Sequence, residues 1–160
     1  MSINENKAIV RRFLESIGEK EEMTRPVQAP SAAELERNIR FMLTQHCASD
    51  YIEHGPQSDQ GVEELIQWAI TLISAFPDLA YKSEGDMVAE GDKVVVRYSA
   101  RGTHLGKYHD IPPSGKKIEI NGIYIARIAN GKIAEGWFAS SFCSFKELTE
   151  QLGLFLLKKS

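Results

Sequence analysis

Four histidines have the widest chemical range of the side chains in this sequence, because imidazole titrates near neutral pH and binds metals. They are His46, His54, His104 and His109. No two of them stand four residues apart, and the sequence contains no CxxC pair and no HExxH motif. A metal site would need ligands from distant parts of the chain, so we expect no metal and consider acid/base chemistry instead.

His104 stands at the end of the run VVVRYSARGTHLG, which is rich in β-branched and aromatic residues. Alternation along a strand places His104 on the same face as Tyr98 and places Arg101 on the opposite face. A bulge near Gly102 would reverse this phase. His104 then either lines a pocket on a concave face or is a half-exposed strand-end side chain bonded to a backbone carbonyl.

A second polar group lies in the last predicted strand, where alternation places Ile133, Glu135, Trp137 and Ser141 on one face. A carboxylate, an indole and a hydroxyl side by side could bind a flat apolar ligand that carries a carbonyl. The pattern equally fits a core tryptophan with Glu135 paired to an arginine of the neighbouring strand. His54, in the segment YIEHGP, is predicted to lie in a turn.

Periodicity divides the chain into helices followed by strands. Capping boxes at Ser2-x-x-Glu5 and Ser31-x-x-Glu34 predict two amphipathic helices that end near Gly18 and Cys47. A third helix runs from Val62 to Phe76, and Pro77 ends it. The remaining predictions are an exposed connector at 19–30, strands at about 79–90, 92–104, 116–129 and 132–141, and a short helix between Ser144 and Gly153.

Helices followed by a meander of long strands are typical of an α+β fold, with the helices on one face of an antiparallel sheet. Asn130-Gly131 predicts a tight hairpin between the last two strands, because a type I′ turn needs positive φ at both positions. Four long strands with few helices bury one face only by curling around it. We therefore expect a cavity on the concave face and place the functional site there.

Length and charge exclude several classes of protein. The 160 residues favour one domain, and a net charge of −3 argues against a nucleic-acid partner. No stretch approaches the roughly 20 apolar residues that cross a bilayer, so we expect no membrane association. Two cysteines far apart in sequence indicate a reduced, cytoplasmic protein.

Several segments together resemble the SnoaL-like polyketide cyclase, or predicted ester cyclase, family. They are FPDL (76–79), EGDKVVVRYSARGTHLGKY (90–108), IPPSGKKI (111–118) and GIYIARIANGKIAEGW (122–137), joined by YIEHGP in the first half. The resemblance implies the nuclear transport factor 2-like fold. In that fold a cone-shaped, curved, antiparallel-rich sheet is wrapped by three to four helices, encloses an apolar pocket and commonly forms a homodimer. The helical extension at about 19–46 is longer than this family leads us to expect.

The resemblance also implies a mechanism and a set of site residues. In the characterised cyclases, a cofactor-free intramolecular aldol condensation is attributed to an acid/base aspartate four residues after the strand tryptophan. That position is Ser141 in this sequence, and a neutral serine is a very poor base. The family histidines correspond to His104 and His54. The implied substrate-binding side chains are Trp137, Glu135, Tyr98, Tyr124 and Arg101.

Three functional hypotheses follow, all for a hydrophobic, carbonyl-bearing small molecule and none with a cofactor. The first is a cyclase in which His104, oriented by Glu135 or Asp110, replaces the aspartate as base. The second is a dehydratase or isomerase that uses the same pocket. The third is a binding protein that kept the cavity and lost the catalyst. An apolar tail at 154–157 is predicted to cover the pocket mouth or a dimer interface.

Overall fold

A computed structural model describes residues 1–18, 31–55 and 58–140 of the chain. Its elements are α1 (Ile3–Gly18), α2 (Ala32–His46), β1 (Cys47–His54), β2 (Asp59–Gln60), α3 (Val62–Ala75), β3 (Ala80–Glu90), β4 (Lys93–Thr103), β5 (Lys117–Ala129) and β6 (Lys132–Ser140). The three predicted helices and four long strands of this part are all present. The predicted connector at 19–30, Ser141, the helix after Ser144 and the apolar tail lie outside the described residues.

The strands form one mixed sheet in the order β2-β1-β6-β5-β4-β3. Strands β3 to β6 are an antiparallel meander, whereas β1 pairs parallel to β6. Within the described residues the sheet is unclosed, because its two edge strands, β2 and β3, do not pair. The hairpin at Asn130-Gly131 has φ angles of 51° and 77°, as predicted. The predicted α+β class is confirmed, with an open sheet rather than a closed barrel.

Strand β1 occupies the segment in which the sequence analysis placed a turn, so that interpretation is wrong. The reason is an inverted pattern of hydropathy. Tyr51 and Glu53 are only 1% and 9% exposed, whereas Ile52 between them is 41% exposed. Because the polar residue of this strand points inward and the aliphatic residue points outward, its alternation gave no strand signal.

The helices cover one face of the sheet, which we call the inner face, and the opposite face is the outer face. The ring of Phe13 in α1 contacts Tyr124 of β5, with centroids 5.9 Å apart. In β4, Val94, Val96 and Tyr98 are buried on the inner face, whereas Arg101 is exposed. The predicted assignment of the β4 side chains to the two faces of the sheet is therefore confirmed. The alternation continues without a bulge through Gly102 to His104.

The predicted phase of β6 is wrong, because a β-bulge interrupts its pairing with β5 near its start. Ile128 of β5 pairs with Ile133 of β6. Arg127, the residue just before Ile128, pairs with Glu135 rather than with Ala134. One extra residue on β6 reverses the alternation after Ile133. Gly136 and Phe138 consequently lie on the inner face beside Ala126 and Tyr124, and Glu135 and Trp137 lie on the outer face.

Candidate active site

Aromatic rings from α1 and five strands meet on the inner face, and we call this set the aromatic strip. Its members are Phe13, Tyr51, Tyr81, Tyr98, Tyr124 and Phe138. Ring centroids are 4.4 Å apart between Tyr124 and Phe138, 5.6 Å between Tyr98 and Phe138, and 5.8 Å between Tyr81 and Tyr98. These spacings are those of favourable aromatic pairs, and the ring planes are inclined by 30° to 78°, so the strip is a packed row of tilted and edge-to-face rings that carries phenol hydroxyls.

Two glycines make room for the tyrosines of the strip. A Cβ atom on Gly136 would collide with Oη of Tyr51 and would lie 2.8 Å from Cε2 of Tyr124. A Cβ atom on Gly122 would lie 2.5 Å from Oη of Tyr98. Any larger residue at either position would displace a ring, so glycine at both positions is a condition for this arrangement.

A buried carboxyl lies among the hydroxyls of the strip. Tyr51 Oη donates to Oε2 of Glu53 at 3.0 Å, and Tyr51 Oη and Tyr124 Oη are 3.4 Å apart. We call Tyr51, Glu53 and Tyr124 the carboxyl–tyrosine cluster. Among the described residues no basic side chain pairs with Glu53. Burial raises the pKa of Glu53 to about 7, and the hydrogen bond from Tyr51 opposes that rise.

The two tyrosines of the cluster stay protonated. Burial raises the pKa of Tyr51 and of Tyr124 far above the ordinary phenol value, because a phenolate cannot be solvated there. Since Tyr51 donates its proton to Glu53, the hydroxyl of Tyr124 is the donor to Tyr51. The chain of hydrogen bonds therefore points toward the carboxyl.

Neither Glu53 nor Tyr51 was predicted as a site residue, although the adjacent His54 was. The available signal was the spacing of two between Tyr51 and Glu53, which places both side chains on one face of a strand. That signal is hidden when the segment is interpreted as a turn.

His104 is fully buried at the end of β4, against the ring of Phe76 at a centroid distance of 5.2 Å. Its Nδ1 accepts the backbone N–H of Ser114 at 3.3 Å and lies 3.0 Å from Ser114 Oγ. Its Nε2 is buried and, within the described part of the chain, has no hydrogen-bond partner. Burial lowers the pKa of His104, so the ring is neutral and carries its proton on Nε2.

The predicted orientation of His104 by Glu135 or Asp110 is wrong. Ser114, from the loop before β5, holds the ring instead. Asp110 is exposed and lies 3.8 Å from Nζ of Lys107, and Glu135 is engaged on the outer face. The sequence could not show this contact because it depends on how the loop folds back onto the end of β4.

The outer face carries a second polar group, which we call the outer-face network. Nδ1 of His54 lies 2.8 Å from Asp59 Oδ1, and its Nε2 lies 3.4 Å from Glu135 Oε2. Glu135 also accepts Nε of Arg127 at 3.0 Å. The pKa of His54 is raised, first by Asp59 and then by Glu135, and the hydrogen bond from Arg127 lowers the pKa of Glu135. Because each ring nitrogen of His54 lies beside a carboxylate oxygen, the protonated form of the ring is favoured.

A family model for SnoaL-like polyketide cyclases matches residues 36–142, well over half of the chain. The chain belongs to this family. The resemblance of its strand segments is thereby confirmed, and the open sheet with helices on one face agrees with the nuclear transport factor 2-like fold of the family's solved structures. A search of the curated proteins finds no match.

Solved structures share this fold. AclR from Streptomyces galilaeus is 19% identical, with a TM-score of 0.73 over 97% of this chain and 85% of its own. IdmH from Streptomyces antibioticus is 22% identical, with a TM-score of 0.68 over 92% of this chain and 98% of its own. TsrD from Streptomyces laurentii is 26% identical, with a TM-score of 0.66 over 93% of this chain and 98% of its own. At these identities the likeness concerns the fold.

In this SnoaL-like protein the predicted site residues fall into separate groups. Tyr98 and Tyr124 meet in the aromatic strip, whereas His54, Glu135 and Trp137 meet on the outer face. Arg101 also lies on the outer face, 73% exposed and 3.3 Å from Glu119. His104 stands apart from both groups, at the strand end. The bulge in β6 is the physical reason that Trp137 and His104 do not share a face.

Two further observations concern ligands and membranes. Within residues 1–18, 31–55 and 58–140, no three His, Cys, Asp or Glu side chains converge as metal ligands. No helix in the same part has the length and apolar character to cross a membrane. A groove of about 330 Å³ lies at the hairpin end of the sheet, beside Asn6, Gly91 and Asp92, and includes no member of the aromatic strip.

Proposed function

We propose that this SnoaL-like protein binds a hydrophobic, carbonyl-bearing small molecule against the aromatic strip and acts on it as a cyclase or isomerase without a cofactor. One observation carries the proposal: the inner face combines a run of aromatic rings with phenol hydroxyls and a buried carboxyl. Aromatic rings bind a flat conjugated molecule, and a carboxyl can exchange a proton with it. Membership of the cyclase family supports the same chemistry.

The proposed chemistry is removal of a proton from a carbon beside a carbonyl. The electron pair of the broken C–H bond moves into the carbonyl and forms an enolate, which neutral hydrogen-bond donors stabilise. Nε2–H of His104 would be a donor of this kind for a ligand that extends from the aromatic strip to the end of β4, because the ring is buried and neutral and, among the described residues, Nε2 has no hydrogen-bond partner. We assign His104 this role rather than that of a base, since Ser114 occupies its Nδ1.

Turnover of a panel of polyketide-type aromatic esters, followed by chromatography, tests the proposal. We expect wild type to convert at least one ester and His104→Ala to convert it more slowly, with Glu119→Gln on the outer face unchanged as the control. Absence of both conversion and binding across the panel would reject the proposed function. Unchanged turnover in His104→Ala would remove that residue from the site.

A binding protein without catalysis is the second candidate, and the serine at position 141 favours it. The family resemblance implies an acid/base aspartate at that position, and Ser141 cannot serve in its place. Thermal shift with the same ester panel measures binding independently of turnover. Stabilisation of wild type without conversion, together with conversion by Ser141→Asp, would establish the binding function. It would also show that the missing aspartate accounts for the lack of catalysis.

Self-association through the outer face is a further part of the proposal. Three large aliphatic side chains on that face, Ile52, Val88 and Ile123, are 41%, 68% and 43% exposed. A second copy of the chain would cover them, as the family resemblance implies. Light scattering after gel filtration should show a dimer for wild type and a monomer for Ile123→Lys. Leu105→Lys, at an exposed loop position, is the matched control.

We also propose that residues 1–160 form one cytoplasmic domain. Helices α1 and α2 pack with the sheet and with α3 in a single hydrophobic core, which supports one unit. Cys47 is a free thiol in that core. Limited proteolysis tests the single domain, and release of a stable fragment smaller than the described core would contradict it. Fractionation of native cells tests the cytoplasmic location.

A further inference from the structure

We propose that Glu53 is the residue that takes the proton from the substrate and returns it, in place of the aspartate that the sequence lacks. This assignment rests on the proposed function. Glu53 lies on the inner face, within the aromatic strip, and its carboxyl is mostly buried there. A carboxylate in such surroundings is shielded from bulk water and would lie beside a flat ligand bound against the strip.

The neighbouring strand lets the two tyrosines of the cluster approach this carboxyl, and their rings fill the space above Gly136. Glu53 is in register with Gly136 of β6, which carries no side chain. Oε2 of Glu53 accepts the hydroxyl of Tyr51, and within the described residues Oε1 has no hydrogen-bond partner. One oxygen is therefore held in place while the other is available to a substrate.

The surroundings of Glu53 are suited to a group that exchanges protons near neutral pH. The titratable groups that face it are Tyr51 and Cys47 from β1, Tyr124 from β5 and Tyr81 from β3. None of these groups is a cation that would hold the carboxyl ionised. Burial consequently raises the pKa of Glu53 to about 7, where both protonation states are accessible.

The proposed step balances without a co-reactant. The C–H bond beside a carbonyl breaks, its proton forms an O–H bond on Glu53, and its electron pair forms an enolate. The enolate carbon attacks a second carbonyl of the same molecule to form a C–C bond, and Glu53 returns the proton to the new alkoxide. In an isomerase the same proton returns to a different carbon.

Tyr51 acts on Glu53 as a positioning residue. Its hydrogen bond fixes Oε2 of Glu53 and stabilises the carboxylate form. The hydroxyl of Tyr124 in turn donates a hydrogen bond to the hydroxyl oxygen of Tyr51. When Glu53 takes a proton on Oε1, the two tyrosines keep the carboxyl in the same orientation. The cluster is therefore a rigid support for a single exchanging proton.

The two histidines of the predicted site are placed less well for this role. Both nitrogens of His54 face carboxylates on the outer face, on the other side of the sheet from the aromatic strip. His104 has its Nδ1 occupied by Ser114. Of these three candidate bases, Glu53 alone lies among the aromatic rings with an oxygen open to a ligand.

A direct titration tests the protonation of Glu53 without any substrate. In protein labelled with ¹³C at the glutamate carboxyl, the resonance absent from Glu53→Gln should titrate with a midpoint of about 7. Tyr51→Phe should move this midpoint higher, because it removes the hydrogen bond that favours the carboxylate. A carboxyl that is already fully ionised at about pH 5 would overturn the assignment.

Hydrogen exchange of a carbon acid tests the catalytic role. The probe is 2-tetralone, a two-ring ketone, and NMR in D₂O follows loss of its hydrogens beside the carbonyl. We expect wild type and Glu119→Gln to accelerate exchange, and Glu53→Gln to lose about 100-fold or more while still binding tetralone. Unchanged exchange in Glu53→Gln would overturn the assignment and leave the proposed function standing. If tetralone and the ester panel all fail to bind wild type, the proposed function fails, and the titration still decides the state of Glu53.

Discussion

The imidazole of His54 stacks on the indole of Trp137, with ring centroids 4.7 Å apart and ring planes inclined by 20°. Parallel pairing of β1 with β6 places the two residues side by side, and Nζ of Lys93 lies 5.9 Å from the centre of the indole. The stack belongs to the outer face. Two residues that the sequence assigns to a binding pocket therefore meet each other on the far side of the sheet from the aromatic strip.

The charge of His54 should depend on Asp59. Asp59→Asn removes the largest of the causes that raise the pKa of His54, so this pKa should fall toward the ordinary histidine value. Two-dimensional NMR of the imidazole protons across a pH titration measures it. Asp110→Asn, a substitution at an exposed loop position, is the control and should leave His54 unchanged.

The same ion pair should stabilise the fold only at lower pH. Because the pKa of His54 is raised on folding, its contribution is fully present below the unfolded value of about 6.5 and is lost as pH rises through the folded value. The difference in free energy of unfolding between wild type and Asp59→Asn should therefore shrink as pH rises from the unfolded value through the raised folded value. Denaturation by urea at several pH values measures it, and a difference that grows with pH would contradict the prediction.

Glu53 should make the protein less stable as pH rises. Its pKa is about 7 in the folded state and 4.5 when unfolded, so the folded state holds an extra proton between these values. Stability from this group is present below the lower value and is lost as pH rises through the higher one. Glu53→Gln should gain stability relative to wild type from about pH 5 to about pH 8, by at most roughly 3 kcal/mol. A constant difference over this range would contradict the prediction.

Gly136→Ala should be destabilising, by roughly 1–3 kcal/mol, because the added methyl group overpacks the cluster. The nearest atom that the new Cβ meets is the hydroxyl oxygen of Tyr51. Tyr51→Phe removes this oxygen, so the double variant should recover part of the loss. Urea denaturation of both single variants and the double variant gives the coupling, and strict additivity would show that the two positions do not compete for space.

His104 should be a neutral imidazole with its proton on Nε2. Burial lowers its pKa, so the ring should titrate only below the ordinary histidine value. ¹⁵N NMR distinguishes the protonated nitrogen from the unprotonated one. Ser114→Ala removes one partner of Nδ1 and should shift that nitrogen's resonance, whereas His109, exposed in the same loop region, serves as the reference signal. A proton on Nδ1 would contradict the assignment of His104 as a donor.

The elements with regular periodicity were predictable from the sequence. Helices α1, α2 and α3 have apolar stripes and clear ends, and the capping box at Ser31 and Glu34 forms as its spacing predicts. In strand β4 parity alone predicted the inner positions of Val94, Val96 and Tyr98, whereas it left His104 between a pocket-lining and a half-exposed position. In these elements local pattern and tertiary burial agree.

Strand β1 and the second half of β6 were not predictable in this way. In β1 an inward Glu53 and an outward Ile52 invert the usual relation between hydropathy and burial. In β6 one extra residue before Glu135 reverses every later side chain, and nothing local marks the bulge. The turn assigned to the β1 segment hid Glu53 and Tyr51, and the bulge in β6 placed Glu135 and Trp137 on the outer face.

The sequence by itself determined the fold class, the family and most of the elements, because these depend on periodicity, turn residues and segment similarity within the chain. Tertiary structure alone decided which side chains meet. The parallel pairing of β1 with β6 joins residues more than eighty positions apart, His54 to Trp137 and Glu53 to Gly136. Sequence spacing carries no information about such a pairing, because its register is set by the packing of both strands against the rest of the core.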